Sequence, residues 1–363
     1  MNHYAPEALT GFCTAALVAA GVGEPIAASV AQSLVYADVR GVESHGVLRL
    51  PIYVRRVREK MVDVIRQPAV VQDRGATALM DGGNNFGAYV GQKALDLAMA
   101  RARDYGVATV GVRRSNHFGT AAYFAEQAAA RGLVAVIVSN ASQTMPPTGG
   151  VRPFLGTNPL AIAAPTGGPT PFLLDMATSQ VARGKIIAAA RRGEAIPEGW
   201  AIDAAGQPTR DAEAGLAGAV LPLGGAKGYG LSMAIDILAG VLTGAGYGPH
   251  VRNMYEDWKN PQDVGHAFIL IDIAAFMPMP AFIARMQDYL ALLKAEPRAP
   301  GVAEILFAGE YEHRLAEGRR AQGIALVPAL VRELAALAAD LAVAMPDPLE
   351  TSDRRSGTAA AGA

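Results

Sequence analysis

The stretch Val107-Ala-Thr-Val-Gly-Val-Arg-Arg-Ser-Asn-His-Phe-Gly-Thr-Ala-Ala-Tyr-Phe-Ala-Glu-Gln-Ala-Ala-Ala-Arg-Gly-Leu-Val-Ala-Val-Ile-Val-Ser139 decides the fold class. Residues 107–112 form an apolar run of strand length, 121–131 carry alanines and aromatics at helical spacing, and Leu133–Ser139 is a second apolar run. Just upstream, 76–80 reads as a strand, 81–85 as a turn and 91–105 as a helix. Strand and helix taking turns in this way predict an α/β core. Residues 172–175 and 268–272 read as further strands, and Pro- and Gly-rich loops fill 145–158 and 165–171. The first 60 residues are expected to be helical, over 6–20 and Glu24–Val39, with Gly41 as a left-handed cap. A closing helix over 328–344 opens on Pro328, which suits a first helical position. The tail from Pro346 has little to pack and is expected to fray.

Composition excludes several classes of function. At 363 residues the chain suggests about two domains, and a chain of that length buries about three quarters of its surface. Hydrophobic residues at 51% against charged residues at 18% rule out a disordered chain. Lys+Arg 32 against Asp+Glu 33 leaves a net charge of −1, with no basic excess to grip nucleic acid. The single cysteine, Cys13, excludes an internal disulfide framework and fits a reducing cytosol. The apolar stretch 12–22 is short and preceded by Glu7, unlike a signal peptide, and 231–242 contains Asp236 and falls short of the roughly 20 residues a bilayer demands. The chain is therefore expected to be cytoplasmic, with no membrane partner.

An α/β enzyme invites a Rossmann fingerprint, and none is present. Gly21-Val-Gly23 and Gly228-Tyr-Gly230 meet Ile26 and Met233 at the sixth position, Gly244-Ala-Gly246 and Gly246-Tyr-Gly248 fail likewise, and no phosphate-loop motif occurs. Two histidines stand in clusters of polar residues and glycine. In Arg40-Gly-Val-Glu-Ser-His-Gly-Val-Leu-Arg49, Ser44 and His45 follow a helix where a loop presents them to a cleft, with Tyr53 beyond. Arg49, four residues after His45, falls on the same face of a new helical turn. Histidine as acid/base beside an arginine that grips a carboxylate suits a carboxylate-bearing substrate. His45 as a plain helix cap with Arg49 as a surface charge fits the spacing equally well. In Arg113-Arg-Ser-Asn-His-Phe-Gly-Thr120, His117 lies past a strand end, where open sheets collect ligands, and Thr120 is placed to cap the next helix. His250 and His266 read as lying in or near loops. No second ligand stands at zinc spacing from either cluster, so no metal is expected. Leu223-Gly-Gly-Ala-Lys-Gly-Tyr-Gly230 opens an apolar helix through Leu242, offering bare N–H groups and the Lys227 charge to an anion. In Leu174-Asp-Met-Ala-Thr-Ser-Gln-Val-Ala-Arg-Gly-Lys185, a strand ends in an acid followed by small polar residues, a wall suited to a ribose or nicotinamide.

Taken together, these stretches resemble the malate/L-lactate dehydrogenase family of the non-Rossmann type. That family also holds sulfolactate, ureidoglycolate and diketogulonate oxidoreductases and cyclic-imine carboxylate reductases. The matching motifs are Tyr36-Ala-Asp-Val-Arg-Gly-Val-Glu-Ser-His-Gly-Val-Leu-Arg49, Ser115-Asn-His-Phe-Gly119, Gly156-Thr-Asn-Pro-Leu-Ala161, Asp175-Met-Ala-Thr-Ser179 with Gly184-Lys185, and Gly225-Ala-Lys-Gly-Tyr-Gly230. The resemblance spans about residues 5–340 in order. It implies an α/β non-Rossmann fold for NAD, with NADP as the alternative, a homodimer, and hydride transfer to a small 2-oxo or 2-imino acid. By the same resemblance, Ser44 and His45 match a proton-relay pair, His117 a second active-site histidine, and Arg49, Tyr53 and Thr120 the substrate side. Asp175, Met176, Ala177, Thr178, Lys227, Gly228, Gly309 and Glu310 match cofactor contacts, although Ala308-Gly309 stands where the family often has Pro-Gly. Residues 1–118 with 300–345 are assigned to substrate binding and dimerisation, 119–299 to the cofactor, and 346–363 to a tail. The cyclic-imine reductases carry Asp where this chain has Lys185; a catalytic Lys185 would add a positive charge that favours an oxyanion, which fits the hydroxy-acid branch. The segment Asn253-Met-Tyr-Glu-Asp-Trp258 resembles the ureidoglycolate branch. A cyclic-imine reductase, a ureidoglycolate-type dehydrogenase and, more distantly, a non-catalytic dinucleotide-binding protein are the rival readings.

Overall fold

The computed structural model describes residues 1–349; of the expected tail, 350–363 lie outside the described residues. A short strand β1 (Asn2–Tyr4) leads into α1 (Pro6–Ala19) and α2 (Glu24–Val39), each opened by a proline and an acid in its first turn. Gly41, at φ 82°, turns the chain out of α2 as expected. After α3 (Leu50–Arg58) come the hairpin β2 (Ala69–Arg74) and β3 (Thr77–Asp81), then α4 (Gly87–Tyr105), β4 (Val107–Ser115), α5 (Ala122–Ala130), β5 (Leu133–Ser139), β6 (Leu160–Ala164) and β7 (Phe172–Met176). A small lobe follows, made of α6 (Arg183–Arg192), β8 (Ala201–Ile202), β9 (Pro208–Thr209), α7 (Ala212–Ala217) and β10 (Ala219–Val220). Then α8 (Ala226–Asp236) runs into a π-helical turn at Ile237–Val241, followed by β11 (Val264–Asp272), α9 (Met279–Ala295), α10 (Glu310–Gln322), β12 (Ile324–Leu326) and α11 (Pro328–Leu341).

The fold is mixed α/β around a seven-stranded sheet of order β2-β3-β4-β11-β5-β6-β7. Among the described residues only β3 and β4 pair in parallel, across the α4 crossover; the other neighbours in this sheet are antiparallel. Although α5 links β4 to β5, the two do not touch, because β11 lies between them, antiparallel to both. The run Val264-Gly-His-Ala-Phe-Ile-Leu-Ile-Asp272 is buried almost throughout, as a strand covered on both faces must be. Expected strands and helices are therefore present, but in a sheet unlike a doubly wound one. One core packs α4 and α5 on the sheet through Val110, Phe124, Leu133 and Phe268. A second joins α1, α2 and α3 to β12 and α11, and a third fills the small lobe.

Three boundaries differ from expectation for physical reasons. Helix α4 starts at Gly87, not 91: a Cβ at Gly87 would lie 2.1 Å from the Asn116 carbonyl oxygen, and one at Gly91 would lie 2.7 Å from the Phe124 ring. Those glycines serve close packing within a helix rather than a turn before it. Strand β4 continues to Ser115 because Arg113 pairs with Asp81 of β3 and Ser115 with Val264 of β11. The last helix ends at Leu341, where Ala342 takes a left-handed φ of 54°. Among the described residues, no helix is long and apolar enough to cross a membrane.

Candidate active site

Two loops bring the histidine clusters together. After Gly41 the chain makes consecutive 3₁₀ turns, Glu43–His45 and Val47–Arg49, rather than the single helical turn expected to align His45 with Arg49. Buried Asp38 holds this segment, accepting the Val47 N–H at 2.7 Å, and it leaves room for nothing but glycine at Gly46, where a Cβ would lie 1.9 Å from Asp38 Oδ1. Ser44 Oγ is thereby set 2.9 Å from His45 Nδ1, and Arg49 Nε donates to the Ser44 carbonyl at 2.8 Å. Neither a plain helix cap nor a free surface charge describes these two residues.

His117 arrives from the end of β4. Its N–H donates to Gln262 Oε1 at 3.2 Å, and the preceding Asn116 donates its Nδ2 to the carbonyls of Asn84 and Asn85, each at 3.0 Å. Tyr53 OH lies 2.7 Å from His117 Nδ1. The His45 and His117 rings stack, centroids 5.3 Å apart and 24° between planes. Burial, and then the nearby Arg49 charge, push His45 down to about 4; burial, then His45 and Arg49, hold His117 well below the usual imidazole range. Burial pushes the Tyr53 phenol up, so it keeps its proton. A hydrogen bond donated by Tyr53 to His117 Nδ1 puts the His117 hydrogen on Nε2, and one donated by Ser44 to His45 Nδ1 does the same there; the reverse direction goes with the other tautomer of each ring.

The other expected residues fall into a second group. Asp175 Oδ2 accepts the Ala122 N–H at 2.9 Å and so caps α5, the role expected of Thr120. Thr120 is instead buried, its hydroxyl without a partner among the described residues. Met176 and Ala177 are half-buried at the end of β7. Thr178 donates to the carbonyls of Thr157 and Asn158, and Asn158 reaches Ala141 and Ser232, stitching three strand ends to α8. Gly224 and Gly225, at φ 58° and 65°, turn the chain into α8, and among the described residues the N–H groups of Ala226 and Lys227 have no backbone acceptor. Lys227 stands exposed beside them, and Gly228 packs so closely that a Cβ would lie 2.2 Å from the Leu223 oxygen. Gly309 begins α10 at φ 94°, while the Glu310 carboxylate is engaged by Lys294 at 2.7 Å and Arg314 at 2.8 Å. Lys185 is on the exposed side of α6 in the small lobe, without a hydrogen bond or ion pair to the histidines among the described residues.

Sequence reasoning missed Gln262, Asn84 and His266. His266, read as lying in or near a loop, is fully buried in β11, stacked on Phe118 at 4.4 Å and bonded to Ser139 Oγ at 2.8 Å and Ser115 Oγ at 2.9 Å. Its position inside an otherwise apolar run was the available signal. It ties the ends of β4 and β5 together beneath His117.

Comparison with known proteins gives a consistent result. The family described as malate/L-lactate dehydrogenase matches residues 4–335. The chain is 40% identical over 336 residues to a malate dehydrogenase of Pyrococcus abyssi, covering 90% of this chain and 92% of that one. It is 37% identical over 328 residues to an L-sulfolactate dehydrogenase of Methanothermobacter thermautotrophicus, covering 90% and 93%. Among solved structures, malate dehydrogenase from Entamoeba histolytica superposes with a TM-score of 0.91 at 30% identity, over 95% of this chain and 99% of that one.

Proposed function

Because the chain belongs to the malate/L-lactate dehydrogenase family and is an oxidoreductase of it, we propose that it interconverts a small 2-oxo acid and its 2-hydroxy acid with a nicotinamide dinucleotide. The observation that carries this reading is the stacked, neutral pair of His45 and His117 in one cluster with Arg49 and Tyr53. The α8 cradle fits a dinucleotide phosphate: two unpartnered N–H groups, the Lys227 charge, and glycines that let backbone approach closely. Asp175, Met176, Ala177, Thr178, Gly228 and the Gly309–Glu310 turn are assigned to the same ligand. When bound, the dinucleotide supplies or accepts a hydride at the nicotinamide ring.

The protein's own residues handle charge and protons. Arg49 grips the substrate carboxylate, its guanidinium already oriented by the Ser44 carbonyl. His45 is the acid/base. Its protonated form needs an acceptor for Nδ1–H, and half-buried Ser44 can turn its own hydrogen away to provide one. His117 lacks that freedom, because the hydrogen of buried Tyr53 would lose its partner. His117 therefore serves as a neutral Nε2–H donor to the substrate oxygen. Arg49→Leu should raise KM by about 10- to 100-fold with a smaller change in kcat, since a charged hydrogen bond contributes roughly 1.5–3 kcal/mol. Steady-state kinetics showing an unchanged KM would remove Arg49 from the substrate site.

The function is tested by following absorbance of the reduced dinucleotide, with and without the 2′-phosphate, against oxaloacetate, pyruvate, longer 2-oxo acids, sulfopyruvate and a cyclic imine. Ureidoglycolate is tested in the oxidative direction. Turnover of an open-chain oxo acid with NADH is the expected result; turnover of the cyclic imine alone would reassign the branch and set aside the argument from Lys185. We also propose a homodimer. Met233, Ile237 and Val241, spaced four apart along α8 and the π turn, are 44%, 47% and 54% exposed, an uncovered apolar stripe suited to a second copy. Light scattering should report twice the chain mass of 37.7 kDa, and a monomer would contradict this.

A further inference from the structure

A separate cavity of about 610 Å³ opens beside the end of β4, lined among others by Asn84, Arg113, Arg114, His250, Arg252 and Asp263. None of His45, Arg49, Tyr53 or His117 lines it. Its charge is unbalanced. Nearly buried Asp81 is the shared partner of three guanidiniums, Arg113 at 3.4 Å, Arg114 at 3.6 Å and Arg66 at 4.0 Å. Set against Asp81, Asp257 and Asp263, the guanidiniums of Arg66, Arg113, Arg114 and Arg252 leave one positive charge in surplus, and Arg252 reaches Asp257 only at 3.9 Å. Facing these cations is a carboxylate with acceptor capacity to spare: Asp263 lies beside the Arg114 charge and the Arg114 and Gly246 N–H groups, yet its buried Oδ1 has no hydrogen-bond partner among the described residues.

The walls are also strained. Five non-glycine residues among those described have positive φ, and three of them line this cavity: Asn84 at 60°, Arg114 at 52° and Asp263 at 54°. Left-handed backbone at such residues costs free energy and gathers at ligand sites, where surrounding contacts maintain it. Guanidiniums in surplus select an oxyanion, and an orphaned carboxylate oxygen selects a hydroxyl on the same molecule.

We propose that this cavity binds a small hydroxylated oxyanion, of which a sugar phosphate is the type, with its anionic group on Arg113, Arg114 and Arg252 and a hydroxyl on Asp263. The site is placed to act on the histidine pair. Asn84 accepts from Asn116, next to His117, and Asp263 follows Gln262, which takes the His117 N–H. That coupling rests on the dehydrogenase reading, whereas binding itself does not.

Titration calorimetry of the full chain with ribose 5-phosphate, inorganic phosphate and citrate tests the proposal. Ribose 5-phosphate should bind once per chain, unchanged by saturating dinucleotide. Arg252→Gln should weaken it at least about tenfold, and adding Arg113→Gln about tenfold more, with each lost guanidinium contact worth that factor. Arg252 is an exposed side chain, so the single variant keeps the test meaningful even where the double variant melts early. Binding of citrate in place of ribose 5-phosphate, with the same loss in the variants, would support the shared chemistry and name a hydroxylated polycarboxylate as the source. Absence of heat with all three probes, or affinity untouched by Arg252→Gln and by the double variant, would overturn the site. Calorimetry needs no turnover, so failure here and failure of the dehydrogenase reading are told apart.

Discussion

His45→Ala should lower kcat by about 10²- to 10⁴-fold, the range expected when a positioned general acid/base is removed, while circular dichroism and melting stay close to those of the parent. The substitution removes the imidazole of the stacked pair whose second nitrogen faces an adaptable hydroxyl, Ser44 at 2.9 Å. His117→Ala should cost less, about tenfold in kcat/KM, because it removes a neutral hydrogen bond rather than a proton source. The stacked geometry makes the comparison informative, since either ring is within reach of a substrate held by Arg49. A large loss in His117→Ala with a small one in His45→Ala would exchange the two roles. Near-full activity in both variants would end the proposed mechanism.

The second large effect is on pH dependence. With His45 pushed down to about 4 by burial and the Arg49 charge, the free enzyme carries the neutral form throughout the physiological range. Oxidation of a hydroxy acid needs that neutral form to accept a proton. Its kcat/KM should therefore be flat from about pH 6 to 8 and fall only as the solution approaches pH 4. Reduction needs the protonated form, whose fraction falls tenfold for each unit above the depressed pKa. Its kcat/KM should drop about 10³-fold between pH 5 and 8. Profiles in both directions across pH 4–9 measure this. A reduction profile level up to about pH 6 would require an ordinary histidine pKa and contradict the burial argument.

What the chain disclosed before folding was local. Alternating apolar runs revealed β4, α5 and β5, and Gly41, Pro6 and Pro328 marked helix ends correctly because caps depend on a residue's own φ and its missing N–H. Arrangement was not legible. The placement of β11 between β4 and β5 is a long-range pairing, and nothing in residues 107–139 encodes a partner more than a hundred residues away. At the site, Ser44, His45, Arg49, Tyr53 and His117 were identifiable as residue types suited to the chemistry, and the structure brings them into one cluster. Their support was invisible: Gln262, Asn84 and His266 act through contacts set by tertiary packing. The exchange of capping role between Thr120 and Asp175 has the same origin, because a carboxylate 53 residues away reached the helix start first.

The central claim is direct hydride transfer at carbon 2 of a small hydroxy acid, and the transfer of deuterium tests it most directly. Hydroxy acid labelled with deuterium at carbon 2 is turned over with unlabelled oxidised dinucleotide, and the reduced dinucleotide is analysed by mass spectrometry. The account predicts one deuterium per reduced nicotinamide, in His45→Ala as in the parent, with only the rate of labelling reduced in the variant. Reduced dinucleotide that carries no deuterium, or label washed into water, would contradict it.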